Sequence, residues 1–199
     1  MSDELEITRA DRERMPALAA VLARAFVDDP IIRWPLPRDA DDIEDRIRSM
    51  FTWAYVDLAD LGMVWETAGG DGVAVWVPPG GAEQLIASDQ RVRERLATLT
   101  DDRGRRYGVL WDWIEAQPPD EPHWFLDALG VEPSRWSRGI GSTLVEWGLG
   151  RAASDDVPVT LETGRVETVP YYERFGFRVV DEGAPEPGGP HVWFMRLDP

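Results

Sequence analysis

Apolar and polar positions along this chain fall into short blocks whose period switches between two and about three and a half. Leu5-Glu6-Ile7-Thr8 alternates and predicts a short strand. Met15, Leu18, Ala19, Leu22 and Phe26 then recur at helical spacing, with Asp11 as N-cap and Pro16 tolerated in the first turns. Asp28-Asp29-Pro30 ends that helix, and Trp34-Pro35-Leu36-Pro37 reads as a rigid loop. A second helical pattern runs from Asp39 to Leu61, carried by Ile43, Ile47, Met50, Phe51, Ala54 and Leu58, with Gly62 as its C-cap. Met63 to Thr67 and Val73 to Val77 predict a hairpin closed by the glycine-rich loop between them.

Residues 82 to 116 read as helix, interrupted near Gly104 and Gly108, and Gln117 to Pro122 reads as a loop. Trp124 to Val131 predicts a strand, Gly139 to Ala153 a helix and Val157 to Thr163 a strand. Val169 to Phe175 predicts a short helix. Phe177 to Asp181 and His191 to Leu197 predict the last two strands, joined by the loop from Gly183 to Pro190. Strands and helices alternate irregularly, with hairpins near both ends. That order predicts an α/β chain with a mixed, mostly antiparallel sheet covered by helices on both faces. No repeat divides the 199 residues, so one domain spanning 1–199 is expected.

Composition removes whole classes of chemistry. All 21 cationic residues are Arg, against 37 Asp and Glu, and the net charge is −16. There is no Lys, no Asn and no Cys. A thiolate nucleophile, a disulfide, a Schiff-base lysine and a Walker lysine are therefore excluded. His123 and His191 are the two histidines, too few for a multi-histidine metal centre, so no metal is expected. Nucleic acid should be repelled, since no basic stripe is segregated from the acidic runs. No apolar run reaches the roughly 18 residues of a membrane span, and the acidic N-terminus lacks a signal-peptide core; a cytoplasmic protein without membrane contact is expected. The acidity fits either a GC-rich coding sequence or adaptation to high salt.

The segment Leu129-Gly130-Val131-Glu132-Pro133-Ser134-Arg135-Trp136-Ser137-Arg138-Gly139-Ile140-Gly141-Ser142 carries the sharpest chemistry. A strand runs into a turn, and two glycines open a helix. Glycine lets backbone N–H groups approach a ligand, and the helix N-terminus offers about half a unit of positive charge to an anion such as a diphosphate. The dinucleotide fingerprint would need a third glycine where Leu144 stands. Two glycines that merely start a helix are the plain alternative.

Val131-x-Pro133, followed by Arg138-Gly139-Ile140-Gly141-Ser142-x-Leu144, resembles the acetyl-CoA loop of the GNAT superfamily of N-acetyltransferases. Some thirty residues on, Leu161-Glu162-Thr163 and Pro170-Tyr171-Tyr172-Glu173-Arg174-Phe175-Gly176-Phe177 resemble that superfamily's next strand and its tyrosine-bearing helix. With Ala25-Phe26-x-x-x-Pro30, Val73-Ala74-Val75-Trp76 and Pro122-x-Trp124-Phe125-Leu126, the pattern is similar to puromycin N-acetyltransferase and its relatives. The chain departs from the pattern at Trp136 and Ser137, where Gln or Arg and then Gly are usual, and at Thr168, where Asn is common. The resemblance implies a splayed sheet and acetyl-CoA as co-substrate. The coenzyme would be held by Leu129, Gly130 and Val131 on the strand and by Trp136, Ser137, Arg138, Gly139, Ile140, Gly141 and Ser142 in the loop.

By the same resemblance Tyr172 is the general acid and also touches the coenzyme; a phenol suits proton donation to a departing thiolate. Asp127 and Glu162 are carboxylates in otherwise apolar strands, and each is a candidate base through water, an anchor for a cationic substrate, or half of a structural ion pair. Strict alternation would put Asp127 and Leu129 on one face of their strand, with Leu126 and Ala128 on the other. Phe26, Trp76, Trp124 and His191 are candidate substrate contacts. Trp34, Trp53, Trp111 and Trp113 are further candidates for an aromatic wall, with core packing as the alternative for most of them. The expected function is direct transfer of acetyl to the amine of a small molecule, for instance an aminonucleoside or another amine-bearing antibiotic. The alternatives are another acyl-CoA, a protein N-terminus as acceptor, or a silent CoA- or partner-binding module of the same fold. Monomer and homodimer are both open.

Overall fold

A computed structural model describes residues 5–117, 119 and 121–199. Pro118 and Asp120, in the expected loop from Gln117 to Pro122, lie outside the described residues, as do residues 1–4. Seven strands among the described residues form one sheet: β1 (Ile7–Arg9), β2 (Val64–Thr67), β3 (Gly72–Val77), β4 (Trp124–Val131), β5 (Val159–Thr163), β6 (Arg178–Gly183) and β7 (Val192–Leu197). Their order is β1-β2-β3-β4-β5-β7-β6, and every pairing is antiparallel except β4 with β5. The α/β class and the mixed sheet expected from the sequence are what the chain adopts.

Helices cover both faces. One face packs under α1 (Met15–Ala25), α2 (Pro30–Arg33), α3 (Ile43–Asp60), α4 (Ala82–Leu96) and α5 (Arg105–Glu115), around Leu18, Leu22, Ile47, Leu58, Leu96 and Leu110. The other packs under α6 (Ile140–Ala152) and the short α7 (Val169–Glu173), around Trp76, Leu126, Leu144, Leu161 and Met195. Burying two apolar layers on a central sheet is the main favourable term in holding such a domain together.

Several helix ends differ from the sequence expectation for local reasons. Asp11 does cap backbone N–H groups, but those of Glu13 and Arg14 in a turn ahead of α1, at 3.0 and 3.1 Å. Asp29 does more than end α1. Its Oδ1 accepts from the N–H of Ile31 and Ile32 at 2.9 and 3.3 Å and so starts α2, an element for which the sequence pattern makes no prediction. Gly104 interrupts the 82–116 stretch in the left-handed region, with φ +83°. Gly108 does not interrupt it. It sits inside α5, whose N–H at that residue still reaches the carbonyl of Gly104, because Tyr107 and Leu110 anchor the helix in the core.

The feature that shapes the site is a fault in β4. Against β3, Val75 pairs with Ala128 and Trp76 with Leu126, so Asp127 is an extra residue, a β-bulge. The bulge flips the side-chain phase. Trp124, Leu126, Leu129 and Val131 contribute to the α6 side, whereas Phe125 and Ala128 contribute to the α1–α5 side. Gly130 faces α1, where an added β-carbon would meet Leu22, Ala25 and Phe26. The expectation that Leu126 and Ala128 share a face, opposite Asp127 and Leu129, is therefore corrected: strict alternation fails at a bulge.

A bulge also bends its strand. The parallel pairing of β4 with β5 covers Trp124 with Val159 and Phe125 with Thr160, and beyond those pairs the two strands separate. The rest of β4 presents an open edge. Because the N–H of Glu132 points at β3, where it bonds to the carbonyl of Asp71 at 2.8 Å, the peptide groups of Val131 point the other way, into the gap.

Candidate active site

A cavity of about 1280 Å³ runs through the gap and joins the two faces of the sheet. On the α6 side it is lined by Leu129, Val131, Trp136, Ser137, Gly139, Ile140, Gly141, Ser142, Tyr171 and Tyr172. On the other side Phe26, Asp29, Phe51, Tyr55, Asp89, Tyr107, Trp111, Asp127 and Glu162 line it.

The loop between β4 and α6 is built to expose backbone. Residues Ser134 to Gly139 are all exposed. Ser137 holds φ +63°, uncommon for a residue with a side chain, and Gly139 holds φ +84° at the N-cap of α6. An added β-carbon at Gly139 would meet nothing within 4 Å, so the space above the helix end is free. The first N–H groups of α6 have no partner within the helix and point there, with the positive end of the helix dipole. Arg138 is exposed beside this end, and Arg135 pairs with Asp71 at 3.3 Å. This arrangement fits a diphosphate, and the open edge of β4 fits an extended amide-bearing arm leading inward. Trp136, half exposed, donates its indole N–H to the carbonyl of Val131 at 2.8 Å. It lines the cavity mouth without sealing it.

Two tyrosines follow from α7. The Tyr171 hydroxyl is buried without a hydrogen-bond partner, against Gly141, whose added β-carbon would stand 2.9 Å from it. Tyr172 packs edge-on to Tyr171 and Phe177. Burial raises the pKa of Tyr172, and Tyr171, Asp29 and Glu162 add to the rise. The phenol is therefore fully protonated at neutral pH and stands near Glu162.

Glu162 and Asp127 occupy matching heights on the separating strands, both on the α1–α5 side. Continuing the register of Phe125 with Thr160 sets one opposite the other. Both line the cavity, yet the surrounding protein desolvates them. Burial raises Asp127 to about 6, offset by the nearby Tyr55 hydroxyl and augmented by Asp89. Glu162 is raised well above the usual carboxylate range by burial, then by Asp127, with smaller effects from its own backbone N–H and from Asp29. No arginine acts on either group. The ion-pair alternative weighed for these carboxylates is thus absent among the described residues.

The remaining candidates fall elsewhere. Trp76 is 1% exposed in the core under α6, its indole against Gly148. Trp124 bonds to Asp155 at 2.7 Å, and His191 hydrogen-bonds Glu182 at 3.2 Å and packs at a tilt against Trp193. These three side chains, with Trp34, Trp53 and Trp113, contribute nothing to the cavity wall; of the tryptophans singled out as a possible aromatic wall, Trp111 does. Gly130 and Arg138 stand beside the cavity but not on its wall. Conversely, sequence reasoning missed Asp29, Tyr55, Asp89 and Tyr107. Tyr107 donates to Asp89 at 2.7 Å, and Arg93 bonds the other oxygen of Asp89. Asp89 sits in a mostly polar helix and carries no local signal; Tyr55 follows Phe51 at helical spacing, which was a usable one.

A mixed sheet that parts beside a glycine-opened helix, with a tyrosine across the gap, defines the class of acetyl-coenzyme A-dependent acyltransferases. The profile of the Acetyltransferase (GNAT) family matches residues 79–177, from just after β3 to just before β6. Residues 79–177 belong to this family, and the protein is an N-acetyltransferase that uses acetyl-CoA. It is 24% identical over 179 residues to an uncharacterized N-acetyltransferase of Schizosaccharomyces pombe, covering 85% of this chain and 72% of that one. Among solved structures it is similar to a Corynebacterium glutamicum protein described as histone acetyltransferase HPA2 and related acetyltransferase, with TM-score 0.72 and 22% identity over 98% of this chain and 97% of that one. It is also similar to an agmatine N-acetyltransferase (TM-score 0.70, 15% identity, 99% and 100% covered) and to a polyamine N-acetyltransferase of Drosophila melanogaster (0.65, 15%, 98% and 100%). At these identities the structural likeness establishes the fold. No helix among the described residues is long and apolar enough to cross a membrane, and no cluster of three metal-binding side chains occurs among them.

Proposed function

We propose that this protein acetylates the amine of a small molecule by direct transfer from acetyl-CoA. The observation that carries the reading is one continuous cavity joining the α6 N-terminus, the open edge of β4, Tyr172 and Glu162. The coenzyme supplies an acetyl thioester. Its diphosphate is held by the N–H groups from Gly139 to Ser142, and its arm by Leu129 and Val131, whose edge N–H groups also steady the acetyl oxygen. Glu162, through water, accepts the proton that the attacking nitrogen loses. Tyr172 gives its proton to the departing thiolate. The C–N bond forms as the C–S bond breaks, and no side chain carries acetyl, consistent with a chain that lacks Cys.

Enclosure of the carboxylates favours a small acceptor over a protein terminus. The unsealed mouth at Trp136 favours turnover over silent binding. Acceptors named for structural relatives, agmatine and polyamines, are likewise small amines. An aminonucleoside or another amine-bearing antibiotic would find aromatic contacts at Phe26, Phe51 and Tyr55, but the acidic wall fits a more cationic amine better. Calorimetry with acetyl-CoA, paired with thiol release over a panel of small amines, tests the reading. Coenzyme-dependent thiol release with at least one amine is expected; tight acetyl-CoA binding with no turnover on any amine would refute it.

A further inference from the structure

Resting on that reading, we propose that the acceptor is a dication: an amine whose second cationic nitrogen is held by Asp127 while the reacting nitrogen lies beside Glu162. Carboxylates follow one another along the cavity from the tyrosine outward. Glu162 is close enough to Asp127 to feel its charge, Asp127 to feel Asp89, and Glu115 to feel Asp89.

Counter-charges are unevenly distributed along this row. At the outer end, Arg93 bonds Asp89 and comes within 3.7 Å of Glu115. At the inner end, Asp29 is occupied by two backbone N–H groups and feels Arg165. Asp127 and Glu162, between them, have no cationic partner among the described residues. A desolvated carboxylate without a partner is costly, and two facing each other are costlier. A monoamine answers one of them, and its nitrogen must in any case lose its charge to react. Because the charge on Asp127 disfavours the charge on Glu162, the two ionise together only when cations stand beside both, and the second carboxylate calls for a second cation.

The walls agree with this reading. Phe26, Phe51 and Tyr55 form a column with ring centroids 5.4 and 5.7 Å apart, a surface for a methylene spacer and for the face of a cation. The bulge in β4 brings Asp127 onto this wall while leaving Leu129 and Val131 on the coenzyme side. The same row of charges should reject an amine that carries a carboxylate.

The test compares α,ω-diaminoalkanes of three to six carbons with n-alkylamines and ω-amino acids of equal length, by acetyl-CoA-dependent thiol release. The best diamine should exceed its matched monoamine in kcat/KM by about tenfold or more, the scale of one charge-assisted hydrogen bond, and the amino acids should be poorest. Asp127→Asn should shrink the diamine advantage to within about twofold, mainly through KM. Glu162→Gln should instead lower kcat for diamines and monoamines alike. Equal use of both by the wild type, or an equal loss on both in Asp127→Asn, would overturn the dication while leaving N-acetylation standing. No turnover on any of them, with acetyl-CoA bound, would overturn both.

Discussion

The indole N–H of Trp136 reaches back to the carbonyl of Val131, 2.8 Å away, and so occupies one acceptor on the open edge of β4. The ring stands half exposed at the mouth through which a coenzyme arm would enter. Saturating the enzyme with acetyl-CoA should therefore change its tryptophan fluorescence, even against the other nine indoles. Trp136→Phe should lose that change and keep calorimetric affinity within about threefold, since one hydrogen bond to an exposed group is worth little net. An unaltered signal in the wild type at saturation would place the indole outside the coenzyme path.

Gly139 and Gly141 are needed for different reasons. Gly139 has free space but a left-handed backbone, so a β-branched residue there strains the loop rather than clashing. Gly139→Val should cost coenzyme affinity more than about tenfold by calorimetry. Gly141 has no such φ, but its β-carbon would press on the Tyr171 hydroxyl. Gly141→Ala should weaken coenzyme binding and lower Tm, and adding Tyr171→Phe should recover part of both. Strict additivity in that cycle would mean the two residues do not touch.

Tyr172 keeps its proton because its surroundings disfavour the phenolate. Tyr172→Phe should cut kcat by about 100-fold or more, the usual scale for a lost general acid, with acetyl-CoA affinity nearly intact. Turnover at the wild-type rate would remove the hydroxyl from the reaction.

Asp127 gives a stability signature independent of catalysis. Its pKa is raised on folding from 3.8 to about 6, mainly by desolvation, so the folded state binds the proton more tightly than the unfolded chain. This group's favourable contribution is present below about pH 4 and is lost as pH rises through about 6. Asp127→Asn should therefore stabilise the free protein at pH 8 by about 1 to 3 kcal/mol, a gain that shrinks towards pH 4. Denaturant melts at the two pH values measure it. Destabilisation of the variant at pH 8 would show that the Tyr55 hydroxyl outweighs the desolvation of the carboxylate.

Local physics made much of the architecture legible in the sequence alone. The mostly apolar run from Trp124 to Val131 is β4 to the residue, and Gly139 and Gly141 marked the start of α6, because strand propensity and helix-end chemistry depend on near neighbours. The C-cap of α3 is Leu61, and Gly62, expected there, follows one position on at φ +79°, where the chain turns out of the helix. The coenzyme role proposed for the loop before α6 and the role proposed for Tyr172 came instead from the family resemblance, whose motifs are contiguous. Local reading stopped where side chains from distant segments converge. Tyr55, Asp89, Asp127 and Glu162 come from two helices and two strands, and nothing within any one of those segments marks the four as neighbours. The tertiary structure alone put the bulge at Asp127, because the register between β3 and β4 decides which residue is left unpaired. It alone buried Trp76 against Gly148, where an added β-carbon would lie 2.0 Å from the indole. An amino-acid sequence fixes period, caps and charge through contacts a few bonds away. Which carboxylates end up facing one another without a counter-ion depends on how the packed layers meet.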